Sequence, residues 1–76
     1  MAEQLTGRQV VMARIEVASR LGLQYRAEAR GLVDALHYDT ARSYSADLDE
    51  QRTYERGYAE GREILRAHGA DEREVA

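Results

Sequence analysis

Six amino acids are missing from this 76-residue chain: Cys, Lys, Asn, Phe, Trp and Pro. Without cysteine the chain has no disulfide bond and no thiol chemistry, which predicts a reducing compartment, the cytoplasm. The first residues lack a basic segment followed by an apolar one, and no apolar run approaches the roughly 18 residues of a membrane span. We therefore expect a cytoplasmic protein that does not enter the membrane.

All eleven basic residues are arginines and all five large aromatic residues are tyrosines. Arg without Lys or Asn is typical of a GC-rich genome, bacterial or phage, but codon bias does not explain Tyr without Phe. Tyrosine suits positions in which the ring is partly buried and the hydroxyl reaches a polar partner. Residues 1–33 carry a net charge of +2 and residues 34–76 one of −5, a split that favours self-association but is too small to predict nucleic-acid binding.

Apolar residues recur at helical spacing along the chain, which predicts an all-α fold without strands. The helices are expected over residues 7–21, 24–43 and 47–67, followed by a frayed tail over residues 70–76. Thr6 and Asp47 supply the N-terminal caps, and Gly22 and Gly69 follow the first and third helices. Because 76 residues barely close a hydrophobic core, we expect one domain, a three-helix bundle or helical hairpin that dimerises.

The segment YERGYAEGREIL, residues 54–65, dominates the third helix. At about 100° per residue, its tyrosines, glycines and aliphatic residues share one face: Tyr54, Gly57, Tyr58, Gly61, Ile64 and Leu65. Each glycine costs about 1 kcal/mol of helix stability relative to alanine, and close approach of another backbone is the usual compensation. We predict that this face is a protein-binding or dimer interface.

The second helix carries a similar ridge opposite its apolar face, formed by Ala27, Gly31, Ala35 and Tyr38. Two small-residue ridges, each beside tyrosine, predict a close helix crossing. The crossing forms either within the chain or across a two-fold axis, and the sequence leaves both open. Tyr38 joins the predicted interface.

The first helix has two apolar stripes with Arg14 between them. One stripe contains Val10, Val17 and Leu21, and the other Val11, Ile15 and Ala18. The wide apolar arc predicts contact with two neighbours at once. We expect the Arg14 side chain to extend until its guanidinium reaches solvent. The alternative is an ion pair with an acidic residue of another helix or subunit, which adds Arg14 to the predicted interface.

Ala18, Gly22 and Leu23 match a helix-turn-helix at its small residue, its turn glycine and its first buried residue after the turn. The resemblance ends at Glu28, where that motif buries Val or Ile, and the chain is acidic overall. Nucleic-acid binding is therefore an alternative function only. Its contact set would be Arg20, Tyr25, Arg26 and Arg30.

No catalytic, metal or nucleotide motif is recognisable in the sequence. Asp34 and His37 share a helix face, but zinc needs three or four ligands, and such a pair is more typical of a solvated face. The acidic residues of segment 47–50 lack the glycine-bearing loop of a calcium site. We therefore predict a protein that is not an enzyme and holds no metal or cofactor.

The expected function is protein binding. We predict a small accessory or regulatory protein, of the kind that phages encode to modulate or inhibit a host protein, acting through its tyrosine-rich helical face. A homodimer seam would have the same sequence pattern, and the sequence does not separate the two. A structural subunit of a larger assembly is a further alternative.

Overall fold

The computed structural model describes the backbone of residues 5–75 and the side chains of residues 5–68. Over this range the chain is helical, with no strand, which confirms the predicted all-α class. Its elements are α1 (Gly7–Leu21), a 3₁₀ turn (Leu23–Tyr25), α2 (Arg26–His37) and α3 (Leu48–Val75). None of these helices combines the length and the apolar character that crossing a membrane requires.

Helix α1 has the predicted bounds. At its start the Thr6 hydroxyl accepts a hydrogen bond from Gln9 N at 3.1 Å, and the Gln9 side chain accepts one from Thr6 N at 2.9 Å. This reciprocal pair is a capping box. The helix stops at Gly22, whose φ of 123° and ψ of 179° define a backbone conformation that essentially only glycine adopts. Both ends follow from local signals.

Helices α2 and α3 differ from their predicted bounds. α2 ends at His37 rather than near residue 43, and residues 38–47 form a non-helical return segment between the two helices. α3 begins after the predicted cap, Asp47, whose Oδ1 accepts hydrogen bonds from the backbone N of Asp49 and Glu50 at 2.9 and 3.1 Å. It then continues through Gly69 to Val75, past the predicted end and through the predicted frayed tail. Ala76 lies outside the described residues.

The hydrophobic core lies where the three helices meet. Val11, Ala18 and Leu32 are fully buried at its centre. Half-buried side chains surround them: Ile15, Tyr25, Ala29, Leu36, Ile64 and Leu65. Since Leu32 packs with α1 while the small-residue ridge of α2 faces α3, α2 is buried on two sides and occupies the central position.

The two small-residue ridges meet within the chain. A Cβ atom added to Gly31 would collide with the carbonyl oxygen of Tyr54, and one added to Gly57 would collide with the carbonyl oxygen of Glu28. The two helices therefore touch backbone to backbone, an approach that any side chain at these positions would prevent. Of the two arrangements that the sequence leaves open, the structure has the intrachain crossing.

Helices α2 and α3 run in the same direction. The backbone of Gly57 lies opposite Glu28, and one turn further along both helices Gly61 lies opposite Leu32 and Ala35. A parallel pair of consecutive helices needs a connection that brings the chain back to its starting end. The return segment 38–47 provides it, and its attachment to α3 forms part of the candidate site.

Candidate functional site

The tyrosines predicted to form an interface lie inside the fold. Tyr54 is 1% exposed and Tyr58 is 9% exposed. The Tyr54 hydroxyl donates to Asp34 Oδ2 at 2.7 Å and accepts from the backbone N of Arg42 at 2.8 Å. The Tyr58 hydroxyl donates to the carbonyl oxygen of Tyr38 at 2.8 Å. Phenylalanine could make none of these bonds, which accounts for tyrosine at both positions.

Gln51, one turn before Tyr54, completes the attachment of the return segment. Its Oε1 accepts from the backbone N of Tyr44 and Ser45 at 2.7 and 3.0 Å, and its Nε2 donates to the carbonyl oxygen of Arg42 at 3.2 Å. The rings of Tyr44 and Tyr54 stack with their centroids 5.4 Å apart. These side chains of α3 form hydrogen bonds with backbone N–H and C=O groups of residues 38–45. A longer α2 would have to use the same groups for its own helical hydrogen bonds, and α2 therefore ends at His37.

Asp34 is a buried carboxylate, whereas its spacing to His37 had predicted a solvated helix face. It is 4% exposed, accepts the hydrogen bond from Tyr54 and lies 3.3 Å from Nε of Arg30. His37, its predicted companion, is exposed, and its ring contacts the ring of Tyr38. The burial of Asp34 could have been predicted from its angular position, because Asp34 lies on the same helix face as the small-residue ridge of α2.

The folded chain favours the neutral form of the Tyr54 phenol. Burial, and then the hydrogen bond to Asp34, raise its pKa above the ordinary value of 10.0. Because the pKa of the folded chain exceeds that of the unfolded chain, this stabilisation is complete below pH 10.0 and is lost as the pH rises through the folded pKa. We expect an ultraviolet titration of the tyrosines to show a delayed ionisation, that of Tyr54, which coincides with loss of helical circular dichroism.

Tyr54→Phe should abolish that delayed ionisation. It should also lower the free energy of unfolding at neutral pH by about 1–3 kcal/mol in urea titrations, because Asp34 and the Arg42 amide lose a buried partner. Tyr25→Phe is the matched control, since the Tyr25 hydroxyl makes none of the described hydrogen bonds. Equal stability of the two variants would contradict the assigned role of the Tyr54 hydroxyl.

Arg14 links all three helices. Its Nε lies 2.6 Å from Glu60 Oε2 on α3, and its Nη2 lies 3.1 Å from Glu60 Oε1 and contacts Glu28 on α2. The pKa of Arg14 is raised, chiefly by the hydrogen bond to Glu60. The ion-pair alternative is therefore the one that the structure shows. The expectation that this guanidinium extends into solvent is wrong, because two carboxylates from different helices converge on it.

The remaining predicted interface residues also make contacts within the chain, although one of them keeps an exposed side chain. Gly57 and Gly61 lie in the α2–α3 crossing, and Ile64 and Leu65 pack against the core. Tyr38 is 40% exposed. The face predicted to bind a partner is thus largely the contact between α3 and the rest of the chain.

The residues of the nucleic-acid alternative do not form a free basic surface. Tyr25 packs against the core, and Arg20 and Arg30 each pair with a carboxylate one turn away on their own helix. Leu23, which a helix-turn-helix would bury, is 78% exposed. Glu28 is tied to Arg14. The geometry between α1 and α2 therefore differs from that motif.

The outer stripe of α1, formed by Val10, Val17 and Leu21, was expected to contact a second neighbour. Instead Val17 is 51% exposed, Leu21 is 54% exposed and Val10 is half-buried. The other stripe of α1 lies in the core, as described above. The outer stripe was recognisable from the sequence, but its residues were not among the predicted interface residues.

Comparisons of the chain with protein-family models, with curated proteins and with solved structures found no match. Within the described residues, no group of three or more His, Cys, Asp or Glu side chains is arranged to hold a metal ion. The structure defines the class: a small all-helical protein with an internal tyrosine face and an exposed apolar stripe on its first helix.

Proposed function

We propose that this protein is a non-catalytic binding protein, an accessory or regulatory subunit that contacts another protein through the outer stripe of α1. The observation that supports the proposal is the exposure of about half of Val17 and of Leu21. Single exposed apolar residues are ordinary on protein surfaces. Val10, Val17 and Leu21 are instead aligned at i, i+7 and i+11, the spacing with which an amphipathic helix binds an apolar groove.

The burial of the tyrosine face supports this position for the binding surface. Tyr54 and Tyr58 are held by hydrogen bonds inside the chain, so their use by a partner would require α3 to separate from α2 and the return segment. The outer stripe needs no rearrangement. Ala13, exposed beside it, has a small side chain that lets the wall of a groove approach closely.

The proposal is tested by affinity capture from extract of a GC-rich bacterium, with and without nuclease treatment, and with the full chain as bait. We expect wild type to retain one protein at near-stoichiometric yield and Val17→Glu/Leu21→Glu to lose it, since two carboxylates cannot enter an apolar groove without a partner. Met12→Glu changes a side chain of matching exposure, 55%, outside the stripe and should retain the protein. Circular dichroism checks that each bait is folded.

Two results would overturn this assignment. Equal capture by the stripe variant would place the binding surface elsewhere. A mixture that disappears with nuclease treatment would instead support the nucleic-acid alternative.

A further inference from the structure

Leu23 projects from the turn between α1 and α2 and is 78% exposed, more than any other large apolar side chain described. The backbone of Gly22, with φ at 123° and ψ at 179°, turns the chain at this point. The carbonyl of Gly22 then accepts from Tyr25 N at 3.0 Å, which closes the 3₁₀ turn that carries Leu23. The exposed leucine therefore stands on a short, hydrogen-bonded turn.

A groove lies on each side of this leucine. The larger, of about 480 Å³, separates the turn from the first turns of α3. Leu23 itself and Gln24 form part of its wall, and the rest is lined by the buried Ala27, the half-buried Tyr44 and Thr53, and the exposed Arg26, Asp49 and Glu50. The smaller, of about 320 Å³, lies toward the end of α1. An apolar knob and recesses into which a knob could insert thus share one surface.

The larger groove carries charges of both signs that do not neutralise each other. Arg26 is on one wall and Asp49 and Glu50 are on the other. None of these three forms an ion pair in the described part of the structure. Glu50 accepts a hydrogen bond from the Ser45 hydroxyl at 2.6 Å, and the backbone amides of both acids are capped by Asp47. The charged groups thus remain available to a molecule that binds over the groove.

We propose that this surface, the Leu23 patch, is an isologous interface between two copies of the chain. A two-fold axis through the patch places Leu23 of each copy at the groove of the other. The same axis sets Arg26 of each copy against Asp49 and Glu50 of the other. Every feature then meets its complement, as a two-fold interface requires.

The self-complementarity of the patch favours a second copy over an unrelated protein. A purely basic or purely acidic groove would favour a partner of opposite charge. This groove carries both positive and negative side chains and lies beside the exposed Leu23. The interface does not involve the outer stripe of α1, so it goes beyond the proposed function, and either can fail without the other.

Association is tested by sedimentation equilibrium of the full chain across a wide range of concentration. The mass of wild type should rise from the 8.6 kDa of one chain toward twice that value. Leu23→Ser should remain monomeric throughout while keeping its helical spectrum and melting temperature, because Leu23 makes little contact within the chain. Met12→Ser, outside the patch, should associate as wild type does.

A charge reversal tests the pairing itself. Arg26→Glu alone and Asp49→Arg/Glu50→Arg alone should each be monomeric, since like charges then face each other across the axis. An equimolar mixture of the two folded variants should regain the dimer mass, because opposite charges face each other at both contacts. A wild type that is monomeric at every concentration, a Leu23→Ser variant that still dimerises, or folded variants that do not associate when mixed would overturn the proposal.

Discussion

Gly31→Ala should lower the free energy of unfolding by about 2–3 kcal/mol, a typical effect of overpacking a tight contact. For a domain of this size that corresponds to a fall of about 10–20 °C in melting temperature. The added Cβ would collide with the carbonyl oxygen of Tyr54 and lie 2.6 Å from the backbone N of Tyr58. Backbone atoms of a helix cannot rotate away as a side chain can, so α2 and α3 must separate.

The sign of the change in unfolding free energy shows whether the tight contact between α2 and α3 or the intrinsic helix propensity of alanine dominates at position 31. In a helix without neighbours, replacing glycine by alanine is stabilising by about 1 kcal/mol. Ala59→Gly, at an exposed position of α3, measures that intrinsic difference in reverse and should lose about 1 kcal/mol. If thermal and urea unfolding showed Gly31→Ala to be as stable as wild type or more so, the backbone contact between α2 and α3 would be refuted.

Arg14→Met should cost about 1–3 kcal/mol in the same unfolding measurements, less than the roughly 3–5 kcal/mol of breaking a fully buried ion pair, because the group is partly exposed. The side chains of Arg14 and Glu28 are 29% and 19% exposed. Methionine keeps most of the apolar stem of arginine, so packing changes little. The loss then reflects Glu28 and Glu60 left facing each other without a cation.

Two controls separate this charge effect from general sensitivity of α1. Arg20→Met breaks the ion pair between Arg20 and Glu16, in which the two side chains are 78% and 63% exposed, respectively. This substitution should cost less than about 0.5 kcal/mol. Adding Glu28→Gln and Glu60→Gln to Arg14→Met should recover much of the lost stability. An Arg14→Met variant as stable as Arg20→Met would show that the three-helix link contributes nothing measurable.

The bounds of α1 could be predicted from the sequence, whereas the end of α2 could not. Both ends of α1 rest on interactions within a few residues, the Thr6 capping box and the Gly22 turn, and were predicted correctly. The end of α2 depends on Gln51, Tyr54 and Tyr58, whose side chains bind the return segment from α3. Helical periodicity extends through residue 40. Because periodicity is a local pattern, it does not report hydrogen bonds to side chains of α3, and the predicted α2 was too long.

The candidate site divides in the same way. The sequence by itself determined the all-α class, the two small-residue ridges with their tyrosines, and the apolar stripes of α1, because these depend only on residue type and helical period. Only the tertiary structure decided that the ridges meet each other, that Tyr54 and Tyr58 point inward, and that Arg14 meets two carboxylates. A small-residue ridge has the same pattern whichever backbone it contacts. Ion pairs that join residues 14 and 46 positions apart depend on where the chain returns in space.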